Sequence, residues 1–257
     1  MGGRRAGRAP TWFSRYPGLS GSPTLVSAPT VRRPSHLAPS AATHPLTTLL
    51  RAAARRALPP VDGTVAACPA PSGPCAVAVA IGGLSMVAAD VPPEWVSEHV
   101  PAGAGGAVAP PFLAALAERL GVPTPGVDVL LVARKPPQAG PRAALVPSDH
   151  VDAAWAADRT DVMSWAAADG GGVIMIGRGP GGRLDLRVEL EGSDRQWLTP
   201  ATVVRGRDLL EAARTLADGD LFASVPAYDA TALRTYLCGG FRAVGAEARF
   251  RTPTWFS

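Results

Sequence analysis

Asp229-Ala-Thr-Ala-Leu-Arg-Thr-Tyr-Leu-Cys-Gly-Gly-Phe241 carries three local signals in thirteen positions. Asp229 is a strong helix N-cap, because its carboxylate accepts from backbone N–H groups left free in the first turn. Ala232, Leu233, Tyr236 and Leu237 recur at helical spacing and make one apolar face. Gly239-Gly240 stops the helix, with one of the two at positive φ. Upstream, Leu221-Phe-Ala-Ser-Val225 reads as a strand ended by Pro226, which has no N–H for a ladder. Downstream, Phe241 opens another strand that runs to about Phe250.

Working outward, Asp208 to Leu216 reads as a helix with Leu209, Leu210, Ala213 and Leu216 inward, and Val203-Val-Arg-Gly-Arg207 stands ahead of it. Before it, Leu184, Leu186, Val188 and Leu190 alternate with Asp185, Arg187 and Glu189, which predicts a strand with one buried and one wetter face. Gly177-Arg-Gly-Pro-Gly-Gly182 matches the spacing of a dinucleotide-binding loop. A strand follows it rather than a helix, so there is no helix N-terminus to hold a pyrophosphate and the stretch reads as a hairpin turn. Val173 to Ile176 and Val162 to Ala166 are further strands. Ser148-Asp149 reads as the cap of a helix from His150 to about Asp158. His150 is the one histidine of this half, either a surface residue of a first turn or a substrate-side general base.

The pattern around Tyr236 resembles the last motif of the GCN5-related N-acetyltransferases. That family reads Asn, Ala three later, Tyr seven later, then Gly-Phe; here these places hold Asp229, Ala232, Tyr236, Gly240 and Phe241. The resemblance implies an α+β fold over about residues 145 to 251: a mixed, mostly antiparallel sheet with helices on both faces. It further implies acetyl-CoA as co-substrate, with Tyr236 beside the thioester sulfur to protonate the leaving thiolate. The strand holding Val188 and Leu190 would splay from its neighbour and pair with the pantetheine arm. Glu189 would be the base for the acceptor amine. The family's pyrophosphate loop, Arg/Gln-x-x-Gly-x-Gly/Ala, falls on Val203 to Asp208, where Gly206 is the last glycine of the motif. Val203 and Val204 stand where the Arg/Gln and a small residue belong, and Asp208 puts negative charge there. Arg205 and Arg207 offset that charge. Arg205, Gly206, Arg207 and Asp229 are therefore the remaining cofactor-side candidates. The connection from Glu191 to Thr202, with Trp197 and Pro200, is long for the family.

Ahead of this half, residues 46 to 134 read as a smaller α+β half. Its signals are a helix after Pro45, strands Val65 to Cys68, Cys75 to Ile81 and Leu84 to Ala89 around a Gly82-Gly83 hairpin, and a short helix at Pro92 to His99. An amphipathic helix from Pro111 to Leu120 with a Gly121 stop and a strand from Val127 to Ala133 complete it. Residues 135 to 144 read as a linker, 1 to 45 as a disordered leader, and 252 to 257 as a tail. Pro-Thr-Trp-Phe-Ser occurs at both 10–14 and 253–257, and no physical account of the repeat follows from the sequence.

The chain has 257 residues, 47% hydrophobic and 18% charged, which is a globular composition. Its formal charge of +4 comes almost wholly from arginine, with Lys135 the single lysine, and no basic run is interleaved with aromatics. No nucleic acid is expected as a partner. No apolar run reaches the ~20 residues of a membrane span, and none has the core of a signal peptide. Cys68, Cys75 and Cys238 read as reduced thiols, with no spacing suited to a metal. The expectation is a cytoplasmic N-acetyltransferase, monomeric or homodimeric, that transfers acetyl directly to a small-molecule or peptide amine without a metal. The alternative is an inactive binding or structural module of the same architecture.

Overall fold

The computed structural model describes residues 44–73, 75–135, 143–191 and 199–251. Residues 1 to 43, most of the expected linker, Trp197, the tail and both copies of the pentapeptide lie outside the described residues. In chain order the elements are α1 (Pro45–Ala54), β1 (Val65–Cys68), β2 (Cys75–Ile81), β3 (Leu84–Ala88), α2 (Pro93–His99), α3 (Pro110–Leu120) and β4 (Asp128–Ala133). They continue with β5 (Leu145–Ser148), α4 (Ala153–Ala156), β6 (Thr160–Ala167), β7 (Gly172–Arg178), β8 (Leu184–Leu190), α5 (Pro200–Leu216), β9 (Leu221–Pro226), α6 (Ala230–Cys238) and β10 (Arg242–Arg251).

All ten strands form one mixed sheet, in the order β1-β3-β2-β10-β4-β9-β8-β7-β6-β5. Only β1/β3 and β8/β9 are parallel neighbours. The two halves expected from the sequence share this sheet. β4, from the first half, lies antiparallel between β9 and β10 of the second, with Leu131 paired to Ala223 on one side and Ala243 on the other.

Period-two alternation sends neighbouring side chains to opposite faces. Leu131 and Ala133 of β4 join α5 and α6 in one core, with Leu209, Leu210, Ala213 and Phe241. Leu130 and Val132 join α1 on the other face, with Leu46, Leu49 and Leu50. α3 adds Phe112, Leu113 and Leu116 over Ala78 and Phe250. Helices therefore cover both faces. α1 is held further by the hydroxyl of Thr47, which donates to the carbonyl of Gly181 at 2.6 Å. Gly181 lies in the turn between β7 and β8, so the glycine-rich stretch is a hairpin connection.

Two expected helices differ. The helix predicted from His150 to Asp158 is a single turn, α4, preceded by the edge strand β5, which pairs with β6. Ser148 takes the N–H of His150 within a local turn, and Asp152 is the residue that caps, accepting from Ala154 and Trp155. Pro147 is tolerated because β5 has no partner on its outer side. The helix predicted to start at Asp208 starts at Pro200. Thr199 caps it by accepting the Thr202 N–H at 3.1 Å, and proline at the first position gives up a donor that a helix start leaves free anyway. Among the described residues no helix is long and apolar enough to cross a membrane.

Candidate functional site

The β8–β9 ladder has two registered pairs, Leu184 with Leu221 and Asp185 with Phe222. Beyond Asp185 the strands are not paired, although β8 stays paired to β7 and β9 to β4 along their lengths. Tyr236 enters this gap from α6. Asp229 fixes the start of that helix by accepting from Ala232 at 2.9 Å, and Gly240, at φ 82°, ends it as the sequence predicts. The ring of Tyr236 is buried at 6% exposure and meets Phe241 edge-on at 5.1 Å. Its hydroxyl accepts from the Val188 N–H at 3.2 Å and donates to the Leu186 carbonyl at 3.1 Å. Burial pushes the phenol well above its ordinary range, so it keeps its proton across the physiological range.

A residue's N–H and C=O point the same way from an antiparallel strand, alternating from residue to residue. Since the Val188 N–H faces the gap, so do the Val188 carbonyl and the Leu190 N–H. That pair is the next unregistered rung of β8, directly beside the Tyr236 hydroxyl.

Glu189 projects to the opposite face of β8, alongside Arg187 and Asp185. Both of its oxygens are engaged: one accepts from Arg187 Nε at 2.9 Å, the other meets His150 Nε2 at 2.8 Å. Arg187 in turn reaches Asp152 at 2.7 Å. Two residues far apart in sequence, His150 and Glu189, are thus brought together.

The stretch expected to form the pyrophosphate loop is helical. Val203 to Arg207 lie inside α5, one turn past its start, where backbone N–H groups are spent within the helix. Gly206 is a packing residue: a Cβ there would overlap Cγ2 of Thr235 on α6. Arg205 turns away from α6 and lies against Gly171, 3.7 Å from Asp169. It edges a cavity of about 650 Å³ lined by Ala143, Ala167, Ala201, Val204 and Leu209, on the other side of α5 from the gap. Arg207 pairs with its neighbour Asp208 at 3.1 Å. Tyr236, Val188 and Leu190 therefore converge, Glu189 lies across the sheet from them, Arg205 does not join them, and Asp229 is occupied as a cap.

On the Glu189 face, sequence reading missed a buried ionic cluster. Arg183 bonds Asp185 and Glu247 at 2.6 and 2.7 Å, and Arg249 bonds Glu247, Asp185 and Asp158 at 2.7, 2.8 and 3.2 Å. Arg159 adds contacts to Asp158 and Asp185, and Ser224 donates to Glu247. Burial alone would raise the Glu247 carboxyl, but Arg183 and Arg249 outweigh it and hold the group far below the usual carboxylate range. Asp185 is lowered against its own burial by Arg183, Arg249 and Arg159. The available signal was complementary charge at period two on two strands, Asp185-Arg187-Glu189 and Glu247-Arg249-Arg251. Nearby, Asp128 of β4 sits opposite Glu247 with no hydrogen bond among the described residues, and burial followed by the charge of Glu247 raises its carboxyl.

No group of His, Cys, Asp and Glu suited to a metal occurs among the described residues. Cys68, Cys75 and Cys238 are free thiols. No family model and no curated protein matches the chain. Among solved structures, a GCN5-related N-acetyltransferase from Kribbella flavida is similar at a TM-score of 0.32 and 14% identity, over 56% of this chain. This chain spans 64% of that protein's length.

Proposed function

We propose that this chain is an acetyl-CoA-dependent N-acetyltransferase with a GCN5-related fold, transferring acetyl directly to an amine. The observation that carries the reading is the interrupted β8–β9 ladder with the Tyr236 hydroxyl at its edge. An amide of the pantetheine arm fits the Val188 carbonyl and Leu190 N–H as a substitute strand, which sets the thioester next to Tyr236. A phenol that stays protonated is an acid for a departing thiolate. Tyr236 is buried in one cluster with Phe241 and Leu186, so the donor would act in a low-dielectric setting. The diphosphate fits less well. α5 offers no glycine loop, Pro200 lacks an N–H, and Thr199 already takes the Thr202 N–H.

A second reading is favoured by that same start of α5 and by the capping of the Leu186–Val188 rung by Tyr236: a module that keeps the fold without turnover. Release of free CoA from acetyl-CoA over an amine panel, run beside thermal unfolding with acetyl-CoA, separates the two. Ligand at 100 times its Kd stabilises by about 2.7 kcal/mol. Turnover with a Tm rise supports the enzyme. No CoA release and no rise at millimolar acetyl-CoA overturns it.

A further inference from the structure

Resting on the acetyl-transfer reading, we propose that His150 is the proton acceptor for the substrate amine and that Glu189 is its positioning residue. A carboxylate only accepts hydrogen bonds, so the 2.8 Å contact from His150 Nε2 to Glu189 places the hydrogen of the neutral ring on Nε2. The lone pair is then on Nδ1, which makes no hydrogen bond among the described residues, on an exposed side chain. Glu189 is the worse-placed acceptor, because Arg187 and His150 already occupy its two oxygens. The arrangement is braced from below. Arg187 holds Asp152, and Asp152 caps α4 through the N–H groups of Ala154 and Trp155. The charged groups around the ring are Glu189 and Arg187 on β8, and Asp149 and Asp152 on its own segment.

The position relative to Tyr236 follows from the pleat. Tyr236 reaches Val188 from the α5/α6 face, and Glu189, the next residue, projects from the opposite face. Glu189, and His150 with it, thus lie on the face of β8 opposite the Tyr236 hydroxyl. An ammonium approaching from the α1 side gives one proton to Nδ1. The free amine forms the C–N bond at the thioester carbonyl, and the C–S bond breaks. Tyr236 gives its proton to the sulfur and regains one from the nitrogen, and the imidazolium proton leaves to solvent. One proton is released per amide formed.

The test uses two acceptors with the full chain at pH 7: putrescine, which arrives as an ammonium, and hydroxylamine, which is already a free base. His150→Gln is expected to lower kcat/KM for putrescine on the order of 10²-fold while lowering it less than about tenfold for hydroxylamine, which needs no base. Glu189→Gln is expected to show the same split at smaller size. Equal losses with both acceptors, or no loss with putrescine, overturn the assignment while acetyl transfer stands. If the unsubstituted chain releases no CoA above the protein-free rate with these acceptors or any other of the amine panel, and its Tm does not rise at millimolar acetyl-CoA, the acetyl-transfer reading falls and the assignment with it.

Discussion

The hydroxyl of Tyr236 stands to the Val188 N–H as a carbonyl of a neighbouring strand would, at 3.2 Å, and completes the rung by donating to Leu186. One side chain thus replaces a peptide unit exactly where β9 leaves β8. Tyr236→Phe keeps the ring contact with Phe241 and leaves both backbone groups unpaired. The expected loss is about 1–3 kcal/mol, or about 2–4 °C in Tm per kcal/mol for a domain of this size. On the proposed chemistry, kcat falls on the order of 10²-fold with little change in acetyl-CoA affinity. An unchanged kcat in isothermal and stopped-assay measurements would remove Tyr236 from the chemistry.

On the proposed function, and with Val203 to Arg207 helical, the described part of α5 would offer the nucleotide end of acetyl-CoA little to hold it. S-acetylpantetheine, which lacks the diphosphate, is expected to bind within about tenfold of acetyl-CoA, a difference under about 1.4 kcal/mol. Calorimetric titration checks this. A much weaker S-acetylpantetheine would mean that a diphosphate site exists after all.

Gly206 lets α5 approach α6 at Thr235. Gly206→Ala gains about 1 kcal/mol of helix propensity but forces the new methyl onto Thr235 Cγ2, which costs about 1–3 kcal/mol. A net loss of stability is expected. Thr235→Ser removes that methyl and keeps the hydroxyl that donates to Thr231. The double variant should regain the loss and exceed either single variant in chemical denaturation. Simple additivity of the two changes would mean that the contact is not tight.

The ionic cluster sets the acid limit. Glu247 and Asp185 are depressed in the folded state relative to the unfolded chain, where carboxyls titrate near pH 4. Their stabilisation is present above that pH and is lost as pH falls through the folded values. Tm should therefore drop steeply below about pH 4. Glu247→Gln removes one of the carboxylates that Arg183 and Arg249 share, leaves an excess of buried positive charge, and is expected to cost about 3–5 kcal/mol at pH 7, with a flatter acid limb. A parallel acid limb in the variant would locate the sensitivity elsewhere.

Asp128 has the opposite sign. Its carboxyl is raised by burial and by Glu247, so the folded state favours the protonated form and ionisation at higher pH works against folding. Asp128→Asn is expected to raise Tm at pH 7, with the gain shrinking as the pH is lowered toward the carboxyl range. A Tm loss at neutral pH would reveal a partner for this carboxylate.

Local signals in the sequence were enough for α6, α1 and β8. Asp229 caps as its type predicts, Gly240 takes positive φ, and the apolar faces of α1 and β8 are buried as their periods require. The start of α5 differs from the expected one because the loop at Val203 to Arg207 came from aligning the family motif on the helix, while the decisive pair, Thr199 and Pro200, lies in the long connection before it. Asp185, Arg187 and Glu189 looked equivalent by alternation, yet Asp185 is fully buried and Glu189 is not. The difference comes from Arg159 and Arg249, which the tertiary fold delivers from elsewhere. The Glu189–His150 contact was hidden for the same reason, since it spans two hairpins.

The place of β4 has a consequence for how the protein is made. On the ribosome its apolar run, Val129 to Ala133, emerges well before β9 and β10, the strands on either side of it, have been synthesised. Until they arrive, both edges of that strand offer unpaired backbone to any passing chain. Pairing so distant in sequence also slows folding. The span of chain between β4 and its two partners is therefore expected to be the interval in which the growing protein is most prone to wrong pairing.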